Sequence, residues 1–220
     1  MTLVLLRRLF VVAVPLVFAA VLLFHPPGGD DVYEGVKDDV DRWLFVHTAF
    51  LLLTPLLAIA AYLLLNGLEN RAATVSRVAL IFFLVFYTAY EVTVGIGTGI
   101  LTDYANGRPA AEQAVLADAI QDLNRNAILS DPSLALVLGV LGWAVAMFAA
   151  AVAFRRAGAG WLVTALLGLA AFFFIHPPPV GPIALVCFAA AAALIERDRA
   201  GATAASETAA ATPAGVGAGH

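Results

Sequence analysis

Three histidines, one glutamate and one tyrosine carry most of the reactive potential of this chain: His25, His47, His176, Glu91 and Tyr87. Neutral imidazole is the commonest metal ligand in proteins and also holds haem iron from the axial side. His25, His47 and His176 are therefore candidate ligands for a transition metal, and His47, Glu91 and Tyr87 are candidate contacts for a cofactor or ligand. No residue stands out as a catalytic nucleophile. His25 and His176 share a local pattern, Phe24-His25-Pro26-Pro27 and Ile175-His176-Pro177-Pro178. Proline disfavours helix in the residue before it, so the same pattern also serves simply to end a helix. As an echo, it is compatible with two hairpins related by an axis along a membrane normal.

Glu91 is the sharper signal. It lies in an otherwise apolar run, flanked by Tyr87, Tyr90 and Thr93. An ionisable group at membrane depth is costly and normally faces protein or a water-filled cavity. Glu91, Gly95 and Gly99 are spaced by four, so one helix stripe carries the acid and two positions where a neighbour can approach closely. The single cysteine, Cys187, excludes an intramolecular disulfide and any multi-thiolate metal site. HExxH, GxSxG and Walker patterns are absent. The basic residues are too scattered for a nucleic-acid surface.

These residues must be positioned by membrane helices. The chain is 62% hydrophobic and 13% charged, against about 45–50% and about 25% in soluble domains. Six apolar runs, 4–24, 43–66, 77–101, 133–154, 160–175 and 180–196, are candidate spans. The expected fold is all-α, a polytopic bundle of about six transmembrane helices over residues 1–199, with the lipid bilayer as its surroundings. The last two runs, short and joined by His176-Pro177-Pro178-Pro179, suit either a tight hairpin or one broken element. Arg7 and Arg8 resemble the basic end of a signal peptide, but the long run after them predicts a retained span.

Charge then sets orientation. With the N-terminus inside, Arg7, Arg8, Arg71, Arg77, Arg155, Arg156, Arg197 and Arg199 all fall inside, eight of the twelve basic residues, while eleven of the sixteen acids fall outside. This is the positive-inside pattern, and it predicts a cell-membrane protein with both termini cytoplasmic. Trp43, Tyr104 and Trp161 sit at run ends, where interfacial rings gather, and Trp143 sits deeper, in the bundle.

Two outer segments are expected to be helical. Residues 30–42 carry Val32, Val36 and Val40 on one face and acids on the other, predicting an amphipathic helix continuous with the second span and capped by Asp30 or Asp31. These acids lack the loop spacing and turn glycine of a calcium-binding hand. A second amphipathic stretch runs from Pro109 to about Ile128, on the membrane surface or over the mouth of the bundle. Ser130 or Asp131, followed by Pro132, is expected to cap the fourth span. Residues 200–220, rich in Ala, Gly, Thr and Ser and ending in His220, are expected to form a disordered cytoplasmic tail.

All three candidate histidines map to the outer side. His47 lies four residues into the second span, about 6 Å deep, whereas Glu91 lies about 15 Å from the end of the third run at Leu101. On that reading the two meet only if the third span ends early, within Gly95–Gly99, or the second tilts. The leading functional expectation is an outer-leaflet site for a metal, a haem or a membrane-soluble substrate such as a quinone or lipid. The alternatives are proton- or cation-coupled transport through Glu91, and a non-catalytic membrane subunit, compatible with a homo-oligomer or a membrane partner.

Overall fold

The computed structural model describes residues 3–26, 29, 31–129 and 133–211, with side chains as far as residue 205. Among the described residues there is helix and no strand. The helices are α1 (Leu3–Leu22), α2 (Val32–Val36), α3 (Val40–Leu64), α4 (Arg71–Asn106), α5 (Ala110–Asn124), α6 (Leu134–Arg156), α7 (Trp161–Phe174) and α8 (Val180–Ala211). Five of them, α1, α3, α4, α6 and α8, are long and apolar enough to cross a membrane. The sixth, α7, has 14 residues, about 21 Å at helical rise against a core of roughly 30 Å.

The six large helices pack as a closed ring in chain order, each against the next, with α8 returning to α1. The outward surface is itself apolar, with Leu16, Leu52, Phe82, Phe148 and Ile183 exposed, as a lipid-facing wall requires. Lipid tails compete with helix faces for apolar contact, so association rests on close packing. The α4 and α6 backbones approach closely: a Cβ on Gly142 would stand 2.5 Å from the Phe83 backbone nitrogen. Inside the ring, Phe18, Phe50, Phe83, Phe173, Phe188 and Trp143 are fully buried. Trp143 donates from its indole nitrogen to the Ala170 carbonyl at 2.8 Å. There α7 tightens into a 3₁₀ turn, Ala171–Phe174, and the change of winding frees a carbonyl that needs a donor.

Several expectations change. The 30–42 helix is not continuous with the second span: α2 ends at Val36, and α3 begins at Val40 with Asp39 as its N-cap. Asp38, Asp39 and Asp41 cluster where a new helix N-terminus offers its positive end, a better place for acids than a helix interior. Asp31 caps α2, its side chain accepting from the Glu34 amide; Asp30 lies outside the described residues, as does Pro27. The third span does not end at Leu101. As α4 it continues to Asn106 beside α2 and α5: Asn124 donates to Thr98 Oγ1 at 2.8 Å, and the Tyr33 hydroxyl lies 3.1 Å from Asn106 Oδ1. The stretch from Pro109 thus packs on the projecting end of α4. Ser133 caps α6, accepting from the Leu136 amide; Ser130, Asp131 and Pro132 lie outside the described residues. The last helix runs past Arg199 to Ala211, where a disordered tail was expected; its alanines have the highest intrinsic helix propensity, and extending an existing helix is cheap. Residues 212–220, with His220, lie outside the described residues.

Candidate functional site

His25, His47, His176, Tyr87 and Glu91 come together at one end of the ring. His25 follows the end of α1, His176 follows α7, His47 projects from the second turn of α3, and Tyr87 and Glu91 come from α4. The meeting of His47 and Glu91 requires neither an early end to α4 nor a special tilt. It follows from the register of α4, whose last turns stand beyond the start of α3.

Within α4 the winding changes twice, to π-helix over Phe83–Tyr87 and over Glu91–Gly97. Each wide turn rotates the following residues relative to an α-helix and loosens the carbonyl ladder, a feature frequent at functional sites. Tyr87 closes the first π turn and Glu91 opens the second. The Gly95 carbonyl in the second accepts a 2.7 Å bond from Trp43 Nε1. Trp43 is therefore buried and structural, not an interfacial ring as expected from its position at a run end; it stands one turn before His47 and packs against it with the rings tilted by 40°, centres 4.4 Å apart. Trp161 and Tyr104 do remain exposed. The glycine stripe faces α3 as its spacing implies, but side chains fill the gap. A Cβ on Gly95 would lie 2.3 Å from His47 Nδ1.

His47 Nδ1 and Glu91 Oε2 are 2.8 Å apart, with His47 4% and Glu91 1% exposed. A buried carboxylate without a partner would cost several kcal/mol, roughly 3–5 when one member of such a pair is removed. On the same helix Leu51, four residues after His47, faces outward, whereas Thr54 is fully buried.

The other two imidazoles are fixed from the same ring position. His25 Nδ1 lies 2.7 Å from the Pro26 carbonyl oxygen. A carbonyl only accepts, so His25 carries its proton on Nδ1 when neutral. His176 Nδ1 lies 3.3 Å from the Tyr87 hydroxyl, and Tyr87 also interacts with Glu91. Burial, reinforced by the neighbouring His176 and His47, lowers the His25 pKa to about 4, so this ring is neutral at ordinary pH. His47 Nε2, His25 Nε2 and Glu91 Oε1 are buried without a hydrogen-bond partner.

The His25 ring stands between the other two, with centres 4.9 Å from His176 and 5.2 Å from His47. Phe50, not singled out in the sequence, packs against all three; its place three residues after His47 gave no polar signal. Among the described residues, no three His, Cys, Asp or Glu side chains already converge in a position to hold a metal ion. The chain matches no known protein family, no curated protein and no solved structure.

Proposed function

We propose that the cluster binds a transition-metal ion, such as zinc, through the Nε2 atoms of His25, His47 and His176, near the outer leaflet of a cell membrane in which both termini are cytoplasmic. The observation that carries this reading is the common engagement of Nδ1: a backbone carbonyl at His25, a carboxylate at His47 and a hydroxyl at His176. Metal-ligating histidines almost always give their other ring N–H to such a partner, which fixes the tautomer and aims the ring. Glu91 serves two of the three. It accepts from His47 directly, and its charge draws the Tyr87 hydroxyl proton, leaving the Tyr87 oxygen to accept from His176.

Ring spacing supports an ion in particular. With metal–nitrogen bonds of about 2.0–2.1 Å, imidazoles sharing a tetrahedral ion stand roughly 5 Å apart centre to centre, and the two separations at His25 are 4.9 and 5.2 Å. Among the described residues the three side chains do not already converge on one point, so binding an ion requires the rings to shift from these positions. A haem would need a flat slot between rings that here pack on one another, on Trp43 and on Phe50. Three protein ligands leave a fourth position open to water or substrate, as in catalytic rather than closed structural zinc sites.

Protein purified from metal-replete cells should contain one ion per chain, and the apo form should take up cobalt(II) with visible ligand-field bands that His47→Ala abolishes. A metal-free protein that binds neither zinc nor cobalt would overturn the reading. A second reading, a proton relay, is favoured by the pairwise His47–Glu91 and Tyr87–His176 contacts. It expects proton flux in liposomes that Glu91→Gln stops, with no metal requirement.

A further inference from the structure

The opposite end of the ring holds a different cluster. Glu196 on α8 is 4% exposed and receives three arginines: Arg7 at 2.6 Å, Arg199 at 2.7 Å and Arg8 at 3.5 Å. Arg199 also donates to the Leu64 and Asn66 carbonyls, tying α8 to the end of α3. One carboxylate cannot balance three guanidinium groups, so this corner keeps a surplus of positive charge. The neighbouring Asp198 is paired with Arg197 and supplies no counter-charge. The side chains of Arg7 and Arg8 remain 27% and 33% exposed, so an external anion can reach them.

A groove of about 540 Å³ starts at Arg7 and runs between α1 and α3 over Leu9, Phe10, Ala13, Ile59 and Leu63. It is apolar beyond the arginine and opens on the lipid-facing surface. A cationic head over an apolar trough matches a molecule with an anionic head and an alkyl chain.

We infer that Arg7 and Arg8, with the α1–α3 groove, form a specific seat for one anionic phospholipid, its phosphate on the guanidinium pair and an acyl chain along the groove. Arg7 bridges the two parts, with its guanidinium on Glu196 and its stem at the head of the groove. Guanidinium groups suit phosphate through their forked donors, and a zwitterionic lipid brings its own cation and gains less from the surplus charge. Each basic residue near an anionic membrane surface contributes about 1 kcal/mol, roughly a fivefold change in affinity.

The test is native mass spectrometry of the full chain released from micelles containing phosphatidylglycerol, phosphatidylcholine or inorganic phosphate. Phosphatidylglycerol should be retained at one per chain, well above phosphatidylcholine. Arg8→Gln, which spares the shorter Arg7 and Arg199 contacts with Glu196, should weaken retention about fivefold. Ala13→Phe fills the groove from an exposed position and should also release the lipid, with the arginine cluster intact. Equal retention of the two lipids, wild-type retention by either variant, or full displacement by millimolar inorganic phosphate would overturn the proposal; the last would mark a site for free phosphate.

Discussion

Gly95→Ala tests the architecture of the histidine site with a single methyl group. The added Cβ would stand 2.3 Å from His47 Nδ1, 2.6 Å from its Cγ and 2.9 Å from its Cβ. Comfortable heavy-atom contacts begin near 3.5 Å, so the imidazole must retreat by roughly 1 Å. The His47–Glu91 bond is 2.8 Å, and a further ångström takes it beyond the range of about 2.7–3.2 Å in which such bonds hold. Glu91 then stays buried without its partner, a loss of about 3–5 kcal/mol. The alanine backbone returns about 0.4–1 kcal/mol, so a net loss of about 2–4 kcal/mol is expected. Gly97→Ala is the matched control on the same π turn, because its Cβ would meet Val92 O at 3.5 Å and Leu123 Cδ2 at 3.6 Å, ordinary contacts. Thermal unfolding of both variants in detergent, followed by circular dichroism, and a cobalt titration of each provide the readout. Gly95→Ala should melt well below Gly97→Ala and bind cobalt at least tenfold more weakly. Equal melting and equal cobalt binding would refute the claim that Gly95 exists to admit His47.

Two further outcomes follow from other parts of the chain. The His25 pKa is lowered from 6.5 to about 4, so between those values the unfolded chain binds a proton that the folded chain does not. Stability from this group is full above the unfolded value and falls as pH drops toward about 4; the acid slope of thermal stability should flatten in His25→Gln, and an unchanged slope would count against a buried neutral ring. In a Cys187→Ala background, a cysteine at Gln121 should react with an impermeant reagent added outside intact cells and one at Gly158 should not; the reverse pattern would put the histidine cluster on the cytoplasmic side.

How much of this was legible in the sequence depends on the kind of signal each residue gives. Apolar run length located the long helices; of the two runs that read as short, 160–175 is the 14-residue α7, whereas 180–196 lies within the longer α8. Glu91 could be assigned to the protein interior because lipid offers a carboxylate nothing, and its spacing to Gly95 and Gly99 named the face. What failed was depth. Run ends show where apolar residues stop, whereas a helix end is set by its packing, and α4 continues to Asn106 because α2 and α5 give its polar last turns partners. Counting from Leu101 therefore placed Glu91 too deep to reach His47. The two π turns are invisible to a periodicity argument, since one extra residue per turn changes facing without changing composition. Trp43 was misassigned for a related reason: a tryptophan at a run end suits the interface, but a loosened carbonyl at Gly95 suits it better.

These misreadings share a cause that bears on the site itself. The π turns begin and end at Tyr87 and Glu91, the two side chains on α4 that engage His176 and His47. A regular α-helix makes better use of its own hydrogen bonds, so the wide turns need compensation, and some of it is visible: the Trp43 indole on the Gly95 carbonyl and the His47–Glu91 pair. Both of these contacts also orient an imidazole or support the residue beside one. A packing defect would need only the first half of that arrangement. Helix irregularity and imidazole alignment meeting at the same two residues of α4, Tyr87 and Glu91, is what favours a ligand-binding role for the cluster over a purely structural one.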